Sequence, residues 1–421
     1  MLISFSIQNW MSFKDRVTIS NIASKQITHR ERVPKIGKYK ISIAPVAALY
    51  GGNASGKSNI CAALRFARGM IVKGTKTRDD KIGIQPFLLS SEYRNGPSRF
   101  WFEILADESI YEFYFSATKD RICEEKLTKV GHTRDQVLYE RENESITIND
   151  KDKDKKSHLG FIWKSTRSNQ LFLTNTVENN NETYRDVYDW FSFVLKVITP
   201  EAKYTQPEYL IDEEHLLYDK ANLILRQLDT GISRLGAEVD KEIDLDKVEE
   251  GKGVYLNLLE TLTSERYIKS SQNGKGVVKK LISYHLCEDG TETQFNLNQE
   301  SDGTKRLIEL LPAFIQEEPG VYGVFVIDEI DRSLHHLLLR RLLEKYLNSC
   351  NTDTRAQIIF TTHDLLLMDQ ELLRRDEMFV VERDVSGVSS VIPLNEYKGI
   401  RQDKDILKSY LQGRFGGIPS I

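Results

Sequence analysis

Three glycines stand ahead of a lysine and a serine in YGGNASGKSN, residues 50–59. From Gly51 to Ser58 the spacing is G-x-x-x-x-G-K-S, a pattern that can cradle a polyphosphate. Glycines let the backbone of Gly51, Gly52, Asn53, Ala54, Ser55 and Gly56 wrap closely around the ligand. The loop N–H groups and the N-terminus of the helix that follows then point at negative charge. Lys57 would reach the β- and γ-phosphates, Ser58 would ligate Mg²⁺, and Asn59 extends the same run. A glycine-rich turn without a ligand is the bland alternative. The flanks disfavour it: ISIAPVAALY before the loop is an apolar run of strand length, and SNICAALRFARGM after it has helical spacing.

Other residues could complete such a site. VFVIDEID is a buried run ending in Asp328 and Glu329. A carboxylate at the end of a buried strand suits Mg²⁺, which assigns Asp328 to the metal. Glu329, the next carboxylate, can polarise an attacking water as general base. A solvated strand end explains the pair equally when it is read alone. TTHD, some thirty residues on, ends another strand and places His363 to contact a γ-phosphate or orient water. In ESDGT, Ser301 and Gly303 precede a helix and offer a hydroxyl, an N–H and a helix N-terminus. That is either a second anion site, useful for completing the site of another subunit, or an ordinary helix cap.

The surrounding elements must position these groups. MLISFSIQNWMSFKDRVTISN reads as two strands around a polar turn, and SRFWFEILADESIYEFYFSATKDRICEEKLTKV as an antiparallel meander. NDKDKDKKSH, residues 149–158, reads as a solvated charged loop. From about 176 to 274 the spacing turns helical, with Leu216, Leu217, Leu223, Ile224, Leu228 and Ile232 in core-packing stripes. KKLISYHLCEDGTETQFNLN reads as two strands around a turn. Strands alternating with helices after a phosphate loop indicate an α/β nucleotide-binding core. The expected division is an N-terminal lobe at 1–175, a helical insertion at 176–274 and a C-terminal lobe at 275–421.

Composition bounds the function. A chain of 421 residues with 40% hydrophobic and 29% charged residues fits a large globular core. The net charge of -4 argues for no polyanionic partner, although a local basic patch stays open. Cys61, Cys123, Cys287 and Cys350 are scattered and form no C-x-x-C pair. A reducing cytoplasm is therefore the expected setting. No apolar stretch approaches the ~20 residues of a membrane span, and MLISFSIQNW lacks the features of a signal peptide.

Taken in order, these residues resemble the ABC-type ATPase heads of the SMC and DNA-repair class. GGNASGKS is similar to their Walker A motif, SDG to the signature, VFVIDE to Walker B, DRSLHH to the D-loop and TTHD to the H-loop. NWMSFKD resembles their N-F-x-S-F segment. A nearer resemblance is to compact bacterial ATPases labelled AAA family but built like ABC heads. These are the RloA-like and AbiL-like abortive-infection ATPases and the ATPase subunit of the PARIS system. The segments that carry it are NWMSF, YGGNASGKSN, LDTGI, ESDGT, DEIDRSLH and YLQGRFGGIP. The signature departs from transporters, with Glu300 and Asp302 where Leu and Gly are common. Met11 stands where repair ATPases often carry Arg, and Gln85 fits a Q-loop or a plain loop residue alike.

The resemblance implies an α/β ABC/SMC-type P-loop ATPase head with an antiparallel β meander and a helical insertion. It implies ATP and Mg²⁺ as cofactors and a homodimer or higher homo-oligomer that sandwiches ATP. It further implies antiphage defence beside a separate effector, a toxin or nuclease, answering a phage-derived trigger. The alternative is a DNA-repair or chromosome-maintenance ATPase; the insertion of about a hundred residues is short for the coiled-coil arm of that class. A transporter ATPase would need a membrane partner, against which the meander and the insertion argue. The chain also resembles the overcoming-lysogenisation-defect family, which adds a Toprim nuclease domain. The 58 residues after His363 are few for such a domain. No nuclease activity is expected in this chain, and nucleic acid binding stays open.

Overall fold

The structure is a computed structural model that describes residues 1–200, 210, 216–228, 230–244, 266–270, 275–315, 323–397 and 406–416. The chain forms two compact units. The first takes residues 1–197, 317–330 and 347–421; the second takes 198–316 and 331–346.

Two sheets build the first unit. The six-stranded sheet runs in the order Leu195–Ile198, Val324–Ile327, Gln357–Thr361, Val46–Tyr50, Met378–Arg383, Ser389–Pro393. Its four central strands are parallel. Their sequences VFVI, QIIFT, VAALY and MFVV are buried at every position without alternation because both faces are covered. The seven-stranded sheet is antiparallel and contains the expected first two strands and the meander, here Ser98–Ala106, Ser109–Ala117 and Ile122–Lys129. Gln136–Glu142 and Ser145–Ile148 extend it. It alternates: Phe100, Phe102 and Ile104 are buried, while Arg99, Trp101 and Glu103 are half-buried. The Lys57–Val72 helix shares one core with both sheets. Its Ile60, Ala63, Leu64 and Ala67 cluster with Leu49, Val326 and Ile359 from one sheet and Phe5, Phe100 and Phe102 from the other.

Buried charges fix the loops of this unit. Glu125 accepts the N–H groups of Phe172 (2.7 Å) and Leu173 (3.0 Å) and the hydroxyl of Tyr139 (2.8 Å), anchoring the Phe172–Glu178 helix start. Arg374 grips both oxygens of Asp376, at 2.9 and 2.8 Å, and donates to the carbonyls of Ser24, Gln26 and Thr28. Beside it, Arg32 lies 3.7 Å from Glu377, whose carboxyl is raised to about 7 by burial. The charged run at 149–158 is helical from Lys153, not a loop throughout. Asp152 accepts the N–H groups of Asp154 and Lys155, and Leu159 and Ile162 anchor the apolar face.

In the second unit the helix Leu216–Gln227 is followed by a sheet. Among the described residues, the helical spacing expected over 176–274 gives way to strand after Gly231, which adopts φ +75° and turns the chain. Ile232, expected on a helical stripe, begins the strand Ile232–Asp244. That strand and Arg266–Ser270 pair antiparallel with Lys275–Leu286, as does Glu292–Asn296. The cross-strand partner, absent from any local window, decides the outcome. The helix Asp302–Phe314 follows, and Phe314 meets Tyr346 of the His336–Ser349 helix edge-on. The Asp302–Phe314 helix falls in the second unit, with the Ile232–Asp244 and Lys275–Leu286 strands. Among the described residues no helix is long and apolar enough to cross a membrane.

Candidate nucleotide-binding site

The parallel strands order the site. Val46–Tyr50 lies beside Gln357–Thr361, which lies beside Val324–Ile327, and Leu49 is in register with Thr361 as Phe360 is with Ile327. Their carboxyl ends therefore deliver the glycine loop, His363 and the Asp328–Glu329 pair to one edge, the usual ligand edge of an open α/β sheet.

The loop from Gly51 to Ser58 enters the Lys57–Val72 helix through Gly56 at φ +113°. A Cβ there would lie 2.7 Å from Ser389 Oγ and 2.8 Å from Ser12 Oγ. Those hydroxyls buttress the loop. Ser389 donates to the Ser55 carbonyl (2.6 Å) and shares a hydrogen bond with Ser12 Oγ (2.8 Å), while Asn59 donates to Ser12 Oγ (2.8 Å). Trp10 donates to the Asn59 carbonyl. The Lys57 ammonium, nearly buried, donates to the carbonyls of Gly51 (2.7 Å) and Gly52 (3.0 Å), so it is held inside the loop. Ala54 adopts φ 59°, and Ser55 Oγ is buried without a hydrogen-bond partner among the described residues. A buried hydroxyl left unpaired in a glycine loop fits a ligand rich in acceptor oxygens.

Ser58 and Asp328 meet. Ser58 Oγ donates to Asp328 Oδ1 at 3.1 Å, and Asp328 is 6% exposed. Thr361 donates to the same oxygen at 2.6 Å and accepts the Glu329 N–H at 2.8 Å. Burial and the neighbouring Asp328 push the Cys61 thiol well above its ordinary range. The Asp328 carboxylate and the Ser58 hydroxyl form a hard-oxygen donor pair that would suit Mg²⁺. Glu329 is half-buried and adopts φ 50°, a conformation costly for a residue with a Cβ and concentrated at functional sites. His363 is exposed two residues past Thr361.

Ser301 and Gly303 belong to the second unit. Ser301 caps the Asp302–Phe314 helix, its Oγ accepting the Thr304 N–H at 3.0 Å. Gly303 is pressed against Ser333: a Cβ would lie 2.7 Å from the Ser333 carbonyl oxygen.

Sequence reasoning did not single out Thr361, Ser12 or Ser389. A hydroxyl becomes informative only when register sets it beside a carboxylate or a loop. Met11, at φ 49°, donates its N–H to the Gln85 carbonyl at 2.7 Å. Met11, Asn59, Gln85, Phe87 and Arg383 help line a cavity of about 470 Å³.

The chain is similar to solved SMC heads. The SMC head domain from Thermotoga maritima is 14% identical, with 93% of this chain and 98% of that chain covered and a TM-score of 0.39. An SMC head bound to the C-winged helix domain of ScpA is 13% identical, with 93% and 97% covered and a TM-score of 0.43. An SMC head with an extended coiled coil, bound to the C-terminal domain of ScpA derived from Pyrococcus furiosus, is 11% identical, with 93% and 96% covered and a TM-score of 0.42. No curated protein matches. The architecture is α/β, with four parallel strands at the centre of one sheet and an antiparallel meander in the other. Residues 46–369 match the family model described as "AAA domain, putative AbiEii toxin, Type IV TA system", and the chain belongs to that family of AAA ATPase domains.

Proposed function

We propose that the chain binds and hydrolyses ATP as a switch in antiphage defence, controlling a separate toxin or nuclease through ATP-dependent dimerisation. The observation that carries the catalytic part is the bonded set Ser58–Asp328–Thr361–Glu329 beside the Lys57 loop. The defence part is supported by the family description, which names a toxin and a type IV toxin–antitoxin system.

In this reading the loop N–H groups and Lys57 hold the polyphosphate, and the base enters the cavity beside Met11 and Gln85. Ser58 and Asp328 hold Mg²⁺, which would neutralise charge on the transferring phosphoryl group. Glu329 accepts a proton from the attacking water, a role worth roughly 10²–10⁴ in rate. His363 orients that water or contacts the γ-phosphate. Ser301 and the Gly303 N–H face the γ-phosphate of a second copy, so that each site needs two chains.

The test joins turnover to protection. Purified chain is assayed for Mg²⁺-dependent ATP hydrolysis, and cells carrying it with its neighbouring genes are challenged with phage. Hydrolysis with protection that Glu329→Gln abolishes is the expected result. Hydrolysis strongly stimulated by DNA, without protection, would instead select the chromosome-maintenance reading.

A further inference from the structure

We infer that Glu300, held by His285 and Ser283, is a positioning residue that fixes Ser301, so that the sheet of the insertion sets the geometry of the second anion site. The inference rests on the proposed role of Ser301 toward a second copy.

Ser283 and His285 are two residues apart on the strand Lys275–Leu286, so their side chains leave the same face. Both reach one atom. Glu300 Oε1 accepts the Ser283 hydroxyl, and it pairs with His285 Nε2 at 2.7 Å. Ser283 is fully buried and the Glu300 carboxylate is 7% exposed. The His285 ring lies against Phe295, 4.7 Å between centroids, which fixes its orientation from the neighbouring strand. One strand therefore grips the residue immediately before the cap, and the neighbouring strand orients the gripping histidine.

The connection from sheet to cap has little slack. The strand Glu292–Asn296 leads directly into the turn Leu297–Gln299, which is closed by a capping box between Asn296 and Gln299. Glu300 donates its N–H to the Leu297 carbonyl, and Ser301 begins the helix. Burying a carboxylate with two donors is weak evidence for stability, because desolvation offsets much of the attraction. Its better-attested effect is to select one arrangement, here the direction in which Ser301 Oγ and the helix N-terminus face. A displacement of the sheet then reaches Ser301 through Glu300.

The test uses the full chain with Ser301→Ala as reference. His285→Ala and Glu300→Ala should leave ATP affinity unchanged and lower kcat by about 10- to 100-fold, the effect of a contact displaced by about 1 Å. His285→Gln, which keeps an N–H donor, should restore much of the rate. Mixing Glu300→Ala with Lys57→Ala chains should recover activity, because one composite site then combines an intact loop with an intact Ser301 face. If Glu300→Ala fails to fold, the half-buried His285 pair of variants decides alone. Unchanged kcat in the His285 and Glu300 variants, with Ser301→Ala impaired, overturns the inference. So does a loss that mixing does not repair, since it would mark damage confined to the chain that carries it. Wild-type turnover by Ser301→Ala would instead bring down the reading of Ser301 itself.

Discussion

The Thr361 hydroxyl donates to Asp328 Oδ1 at 2.6 Å and in the same position accepts the Glu329 N–H at 2.8 Å. One oxygen on the neighbouring strand therefore holds the carboxylate assigned to Mg²⁺ and the backbone of the carboxylate assigned to water.

Thr361→Val, nearly equal in shape, removes both bonds. A hydrogen bond to a charged group contributes about 1.5–3 kcal/mol, so the melting temperature should fall and ATP turnover should drop by about tenfold or more. Thr361→Ser should keep most of both. Steady-state ATPase assays with thermal melts decide; equal turnover in Val and wild type would show that the bridge has no catalytic consequence.

Lys57→Ala should lose tight ATP binding while staying folded. Its ammonium donates to the loop carbonyls of Gly51 and Gly52, while the helix core is held by Ile60, Ala63, Leu64 and Ala67, so the fold should survive its removal. Calorimetric titration with ATP checks the first claim and circular dichroism the second.

Glu329→Gln should bind ATP but turn it over roughly 10²–10⁴ times more slowly. The amide keeps the size of the side chain at a strained backbone position and loses the proton acceptor. An ATP-bound dimer should accumulate, visible by light scattering; a monomer with bound ATP would contradict the sandwich.

Glu377 predicts a pH signature of stability. Its folded carboxyl is raised to about 7 against an ordinary 4.5, with burial as the main cause, opposed by Arg32. The folded state therefore holds the proton more tightly than the unfolded state. The stabilisation is complete below about 4.5 and is lost as pH rises through about 7. The amplitude is about 3 kcal/mol at 1.36 kcal/mol per unit. Glu377→Gln should flatten the fall in melting temperature across that window relative to wild type; parallel pH profiles would remove Glu377 as the cause.

Much of the site was legible because its parts are local. The glycine loop is a contiguous string, and the strands that carry Asp328 and His363 are unbroken apolar runs that only two-sided burial explains. Ser58 and Asp328 come from motifs 270 residues apart, yet each was readable alone. What was not legible depends on register. Ser12 and Ser389, 377 residues apart, become a buttress only once the last strand is paired. The same holds for Ile232–Asp244, where helical spacing gave way to a cross-strand partner, and for Lys153–Ser165, where a capping aspartate made a helix of a charged run.

The contact between Gly303 and Ser333 has a consequence for how the second unit can change. With 2.7 Å between a hypothetical Cβ and the Ser333 oxygen, the space is narrower than a methyl group. Ser333 itself sits at φ 60°, an uncommon conformation for a residue with a Cβ, while Gly303 is helical. The first turn of the Asp302–Phe314 helix and the turn before the His336–Ser349 helix therefore mesh like two teeth of one gear. A shift of either is a shift of both, and a single methyl added at residue 303 would act as a wedge between two segments that the sequence places thirty residues apart.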